Sequence, residues 1–171
     1  MLLIDFYYVT QRFTEARHMA QRMLEGKAGP LTVSGRAYPQ FALAAAMFWT
    51  DGRAKAVPEY LKVLQGRFAG GWKTVTEYRA AYCAANLARD VADPKTQAQA
   101  RSILAALVRS PDQNEYTYKA RITLARDLVK EGHWAEGVEL LKTFPDKSGP
   151  YKDLANYYLA KYAKDYAGKS N

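Results

Sequence analysis

One cysteine, two histidines and no long apolar run set the first limits on this chain of 171 residues. Cys83 has no second cysteine to pair with, so no disulfide can form within the chain. That fits a reducing compartment and favours the cytoplasm, unless the chain is a piece whose N-terminal signal lies upstream. Cys83 sits in the apolar run Ala81-Tyr82-Cys83-Ala84-Ala85, which points to a buried small side chain rather than a nucleophile. His18 and His133 stand far apart with no cysteines around them, so a zinc site lacks ligands. No glycine loop has phosphate-binding spacing; Gly70-Gly71 is too short. Carboxylates are scattered without pairing. Nothing therefore recommends an enzyme, a metal or a cofactor. No stretch reaches the roughly 18–20 apolar residues that span a bilayer. The start, MLLIDFYYVTQRF, lacks a basic region and carries Asp5 within its apolar run, unlike a secretory signal. Alternation of period two is also missing, so nothing reads as strand.

What is present is a globular composition, 49% hydrophobic and 25% charged. The net charge is +8. Residues 1–85 hold 11 basic and 6 acidic side chains, and residues 86–171 hold 14 and 11. Neither half is a basic tail. A spread positive charge favours acidic partners, whether peptide, nucleic acid or anionic lipid, without choosing among them.

A leucine-centred pattern recurs at Leu3, Leu43, Leu87, Leu124 and Leu159, and Leu-Ala occurs at 43–44, 87–88, 124–125 and 159–160. Thirteen residues after the first four leucines stand Ala16, Ala56, Ala100 and Gly137, all small. Seventeen after come Ala20, Tyr60, Leu104 and Leu141, and twenty after come Met23, Val63, Leu107 and Phe144. The leucines lie 40, 44, 37 and 35 apart, a period typical of helical repeat arrays. The apolar spacing within each copy is helical. The clearest copy predicts a helix over 115–130, a turn at Glu131-Gly132 and a second helix over 134–143. The copy before it predicts helices over 74–91 and 95–109, with Pro94 placed to open the second. The earlier one predicts 38–50, a turn at Asp51-Gly52, then a helix to Leu64. Pro58 falls inside that helix and is expected to kink it or shift its start. Residues 26–36 and 65–73 are glycine-rich connections and the expected flexible joints. A last helix over 151–167 is expected to cap the open end. Only two residues precede Leu3. Two readings stay open: a stub first helix, or a chain with further residues upstream.

In its best copy the pattern resembles the tetratricopeptide repeat family. The residues that carry it are Leu124-Ala125, Leu128, Gly132, Trp134, Gly137, Leu141 and Phe144. The stretch Gln11-Arg12-Phe13-Thr14-Glu15-Ala16 looks like the start of a second helix of the same kind, with Phe13 standing where Trp134 does. The first-helix tryptophan of the family is absent, and Arg121 stands there. Arg53 and Gln97 replace the turn aromatic in two copies. The resemblance implies an all-α fold, a right-handed superhelix of stacked antiparallel helix pairs. It would hold about four hairpins in a single domain over 1–171, with repeats near 1–26, 37–66, 74–110 and 114–145 and a capping helix over 151–167. An irregular helical bundle is the competing architecture.

The resemblance also implies a groove lined by the first helices, at positions five and two before each leucine and two, five and six after it. This selects an aromatic zone, Tyr8, Tyr38, Phe41, Phe48, Trp49 and Tyr82, and a basic one, Arg89, Lys119, Arg126, Lys130, Tyr157, Lys161 and Lys164. Aromatic anchors beside guanidinium groups suit an extended ligand with apolar side chains and carboxylates. Phe48 and Trp49 are adjacent, so one of them is expected to pack between repeats. Arg89 and Arg126 hold equivalent places in successive copies, as do Asp90 and Asp127. Ala42 and Ala45 stand where the carboxylate-clamp version of the family has polar residues, which argues against that mode. The expected function is a non-enzymatic scaffold for a peptide or partner subunit. Two alternatives remain: a basic array that binds nucleic acid, and self-assembly into a homo-oligomer through the apolar first segment.

Overall fold

The computed structural model describes residues 3–29, 34–64, 72 and 74–167. Its helices are α1 (Leu3–Val9), α2 (Phe13–Leu24), α3 (Ala37–Thr50), α4 (Arg53–Val63), α5 (Val75–Ala88), α6 (Pro94–Arg109), α7 (Glu115–Lys130), α8 (Trp134–Lys142) and α9 (Pro150–Ala167). Short 3-10 turns occur at Ser34–Arg36 and Asp146–Ser148. Among the described residues there is no strand, only an isolated bridge between Lys27 and Gly29. The chain is all-α, as the helical spacing predicts. Residues 30–33 of the first expected joint, and all of the second except Trp72, lie outside the described residues.

Local chemistry explains the helix ends. The Glu77 N–H donates to Thr74 Oγ1 at 3.2 Å and the Thr74 N–H donates to Glu77 Oε2 at 3.2 Å, a reciprocal cap at the start of α5. Asn114 Oδ1 accepts from the N–H groups of Tyr116 and Thr117 and opens α7 in the same way. Pro94 and Pro150 open α6 and α9, where a missing N–H costs no bond. Of the two outcomes expected at Pro58, a shifted start does not occur: α4 starts at Arg53 and runs through it to Val63. The ring is exposed to solvent, so the start need not shift.

The turns that join α3 to α4 and α7 to α8 each use a left-handed residue. Gly52 (φ +88°) and Gly132 (φ +93°) supply it cheaply. After Gly132, the His133 N–H reaches back to the Leu128 carbonyl at 2.8 Å and closes α7. In the first hairpin the corresponding residue is Gln11, held at φ +59°, and the Arg12 N–H closes α1 on the Tyr7 carbonyl at 2.8 Å. A residue with a Cβ is strained there.

The chain divides into two compact units, residues 1–103 and 104–171, at a boundary within α6. In the first unit α1 to α5 pack each on the next, and α3 also touches α5. In the second unit α7, α8 and α9 pack pairwise. The residues at the recurring offsets form the core. Ala16, Ala20, Ala56, Tyr60, Val63, Ala100, Leu104, Leu107, Leu141 and Phe144 are all buried; Met23 is half-buried. Gly137 shows why a small residue recurs. A Cβ there would stand 2.7 Å from the Ala125 carbonyl oxygen and 2.7 Å from Val129 Cγ2, so α8 meets α7 backbone to backbone.

Ten residues after each of the first four leucines stand four different side chains, which open α2, α4 and α8 and lie one turn into α6. Phe13 stacks on Trp49 of α3, and Arg53 pairs with Asp90 just beyond α5. Trp134 meets Tyr162 of α9 edge-on at 6.0 Å, and Gln97 Nε2 donates to the Val91 carbonyl at 3.0 Å. Arg121, which replaces the expected tryptophan, donates to the Thr143 carbonyl at 2.7 Å and lies over the Phe144 ring. It thereby ties α7 to the end of α8.

Helix α9 packs on α7 and α8. Ala44, Ala88 and Ala125 of the Leu-Ala pairs are buried, whereas Ala160 is exposed. Helix α9 carries the Leu159-Ala160 pair, and no further helix follows it among the described residues.

Two substitutions test this account by urea or thermal denaturation. Gln11→Gly relieves the left-handed strain and should stabilise the chain by about 0.5–1 kcal/mol; an unchanged midpoint would show the turn is not strained. Gly137→Ala adds a methyl group with no room. It should destabilise by about 1–3 kcal/mol, against a helix-propensity gain of about 1 kcal/mol. A more stable Gly137→Ala protein would show that the two helices can move apart.

Candidate functional site

Helices α1, α3 and α5 surround a pocket of about 70 Å³ in the first unit. Its apolar floor is Ala16, Ala42, Ala45 and the buried ring of Phe41. Small side chains on α3 leave the space that larger ones would fill. Tyr8 and Tyr38 form walls, and Asp5 and Arg79 bring charge to the lining. The Tyr38 hydroxyl donates to the Asp5 carboxylate. Burial first, and then this bond, push the Tyr38 phenol well above its ordinary pKa, while the Arg79 charge pulls the other way. Beneath the floor, Tyr60 lies 5.5 Å from Phe41, and burial raises its phenol as well.

Arg79 lies over Phe41, its guanidinium carbon 4.7 Å from the ring centroid. Among the described residues no carboxylate pairs with it. An exposed guanidinium with no carboxylate paired to it can receive the carboxylate of a ligand.

An aromatic shelf adjoins the pocket through Tyr8. Trp49 is 58% exposed, yet it is held on three sides. It stacks on Phe13 at 5.3 Å with an interplanar angle of 12°, takes Phe48 edge-on at 5.0 Å, and donates its indole N–H to the Tyr8 hydroxyl at 3.1 Å. Phe13 in turn meets Tyr8 at 5.4 Å. Of the adjacent pair, Trp49 is exposed and Phe48 half-buried. A fixed, exposed indole loses little freedom on contact with a ligand.

The other predicted residues are placed as follows. Tyr82 is half-buried on α5. Arg89 is half-buried at the end of α5, where its Nη1 donates to Asn86 Oδ1 at 3.1 Å. Lys119 pairs with Glu115 at 3.4 Å and lies 5.0 Å from the Tyr116 ring. Arg126 is exposed, 5.1 Å from the Tyr158 ring. Lys130, Tyr157, Lys161 and Lys164 are exposed. The pocket thus gathers Tyr8, Tyr38 and Phe41, with Trp49 on its rim. Arg89 belongs to the first unit, while the remaining basic residues lie in the second. Two lining residues were missed. Asp5 occupies one of the implied groove positions, two after Leu3, but its charge is opposite to the one sought. Arg79 lies eight before Leu87, one helical turn beyond the positions used; the same stripe extended by a turn finds it.

Cys83 is half-buried rather than buried. His18 is exposed on α2, and His133 precedes α8, its Nδ1 3.3 Å from Glu136. Among the described residues no cluster of three or more His, Cys, Asp or Glu could hold a metal, and no helix is long and apolar enough to cross a membrane. No protein family, curated protein or solved structure matches the chain.

The Tyr38–Asp5 bond gives a pH prediction. The folded phenol titrates above the unfolded value of about 10. Its stabilising contribution is therefore complete below pH 10 and lost as pH rises beyond it. Denaturation of the wild type across the alkaline range should show falling stability, and Tyr38→Phe should flatten that fall. Equal slopes in the two proteins would refute the assignment.

Proposed function

We propose that the chain is a non-enzymatic interaction module built of helical hairpins in a tetratricopeptide-like array. It holds an extended peptide segment of a partner protein against the faces of α1, α3 and α5. The observation that carries this reading is Arg79, unpaired among the described residues, beside an open apolar pocket whose rim continues into the Trp49 shelf. A peptide carboxylate would meet the guanidinium, a small apolar side chain would enter the pocket, and an aromatic or aliphatic one would lie on the indole. The volume supports a small side chain: it is about five times the roughly 10–15 Å³ that holds one water on the same measure. The surroundings favour an acidic ligand, since residues 1–103 hold 14 Lys and Arg against 8 Asp and Glu. The contact of α3 with α5, both first helices, supports an array in which successive hairpins lie side by side.

Panning a random-peptide display library against the whole chain tests the reading. Enriched sequences should combine Asp or Glu with apolar residues. Arg79→Ala and Trp49→Ala should each weaken the selected peptides about tenfold, or about 1.4 kcal/mol. Both side chains are exposed, so the fold should survive. Affinity should fall only modestly between low and physiological salt. A fall of about a thousandfold or more, with nucleic acid competing, would favour the phosphate-binding alternative. No enrichment, or binding indifferent to Arg79→Ala, would sink the proposal.

A further inference from the structure

The second unit holds an apolar groove of about 470 Å³ between α8 and α9. Trp134, Ala135 and Val138 line one side and Leu159, Tyr162 and Ala163 the other. Lys142 is the one charged lining residue. It is exposed, and no carboxylate pairs with it among the described residues; Glu139 on the same helix does not.

The hairpins themselves show what shape fits. Where α4 lies against α3 and α8 against α7, the alanine of the Leu-Ala pair on the first helix, Ala44 or Ala125, is buried. Helix α8 brings Gly137 against the Ala125 carbonyl, then buries Leu141 and Phe144 four and seven positions on. The same spacing recurs in Ala56, Tyr60 and Val63 of α4, packed on α3. Helix α9 has its Leu159-Ala160 pair, but Ala160 is exposed. The missing element is a helix with a small residue followed by bulky apolar ones at those offsets. Shape argues against a second copy of the groove as occupant, because two concave faces leave a void between them. Size does too. Helix α8 has nine residues, about 13.5 Å at 1.5 Å per residue. Across two helices set about 10 Å apart, groove-to-groove contact would cover roughly 300 Å² per copy, below the roughly 1,000 Å² in total expected of a stable pair. A single convex helix laid in the groove buries both of its flanks. Charge narrows the choice further. Residues 104–171 are nearly balanced, with 11 Lys and Arg against 9 Asp and Glu, so the specific polar demand is a carboxylate opposite Lys142.

We propose that the α8–α9 groove docks an amphipathic helix of another protein, one that presents a small residue, bulky apolar residues four and seven positions later, and a carboxylate toward Lys142. This is helix-in-groove recognition, at a surface separate from the Arg79 pocket and independent of its function.

The probe is a fluorescein-labelled, stapled helical peptide with the sequence of residues 133–145. It carries the Gly137, Leu141 and Phe144 stripe with two glutamates. Titrated into the whole chain and followed by anisotropy, it should bind with a Kd of about 10–100 µM. Ala163→Glu and Lys142→Glu should each weaken binding at least tenfold. Both positions are exposed, and circular dichroism checks that helix content is kept. Arg79→Ala should leave this binding unchanged, which separates the result from the fate of the peptide pocket. Absence of saturable binding at millimolar chain would overturn the proposal, as would binding indifferent to Ala163→Glu. Sedimentation of the unliganded chain supplies the other decisive result. A concentration-dependent dimer abolished by Ala163→Glu would assign the groove to a second copy and overturn the partner-helix assignment; a monomer throughout supports it.

Discussion

Two helices can share a core only as closely as their thickest contacting residues allow, and in this chain that thickness is set at one recurring place. Where α8 crosses α7, the residue is glycine and the neighbour is a backbone carbonyl. Alanine occupies the matching positions in α2, α4 and α6, and all three are fully buried. Once the backbones are that close, the residues four and seven positions on have one face on which to bury, and they bury there. Dispersion and apolar burial then accumulate over a short seam. The reciprocal caps of α5 and α7 and the left-handed turns at Gly52 and Gly132 fix where each helix starts and stops. They matter because a seam of three residues tolerates no slip along the helix.

The same demand for small residues shapes the candidate site. Helix α3 packs against α2, α4 and α5, and residues 41–46 are buried in an unbroken run. Such a helix needs alanine on most sides. Where two of those alanines, Ala42 and Ala45, meet α1, the packing stays open and the pocket results. Around it the chemistry is arranged by partners distant in sequence. Tyr38 is fixed by Asp5, Trp49 by Phe13 and Tyr8, and Arg79 by Phe41. Each side chain is oriented in advance, which lowers the entropy cost of binding.

Much of the fold was legible because it rests on spacing. The offsets of 13, 17 and 20 from each leucine are short-range, and they predicted a buried set that fails only at Met23, which is half-buried. Helix ends were legible to within three residues, since capping residues, Pro94 and Gly132 act locally. Pro58 does not move the start of α4 from Arg53. The turn position looked degenerate in sequence, with Phe13, Arg53, Gln97 and Trp134 in the same place. Three of them nonetheless reach the next first helix or its end, by stacking, an ion pair or an edge contact. A pattern that scores residue type cannot see a shared task performed by different chemistry.

The sequence by itself determined the helices, their order, the pairing of α1 with α2, α3 with α4 and α7 with α8, and the residues buried at the recurring offsets, because all of these follow from periodicity and local capping. Tertiary structure alone decided which groove-stripe residues become a site. Asp5, Tyr38 and Arg79 are brought together from three helices, and whether an aromatic is floor, wall or shelf depends on the neighbours that cover it. It also decided that Ala160 of the last Leu-Ala pair is exposed, whereas Ala44, Ala88 and Ala125 are buried. Burial belongs to the pair of surfaces in contact, and a sequence states only one of them.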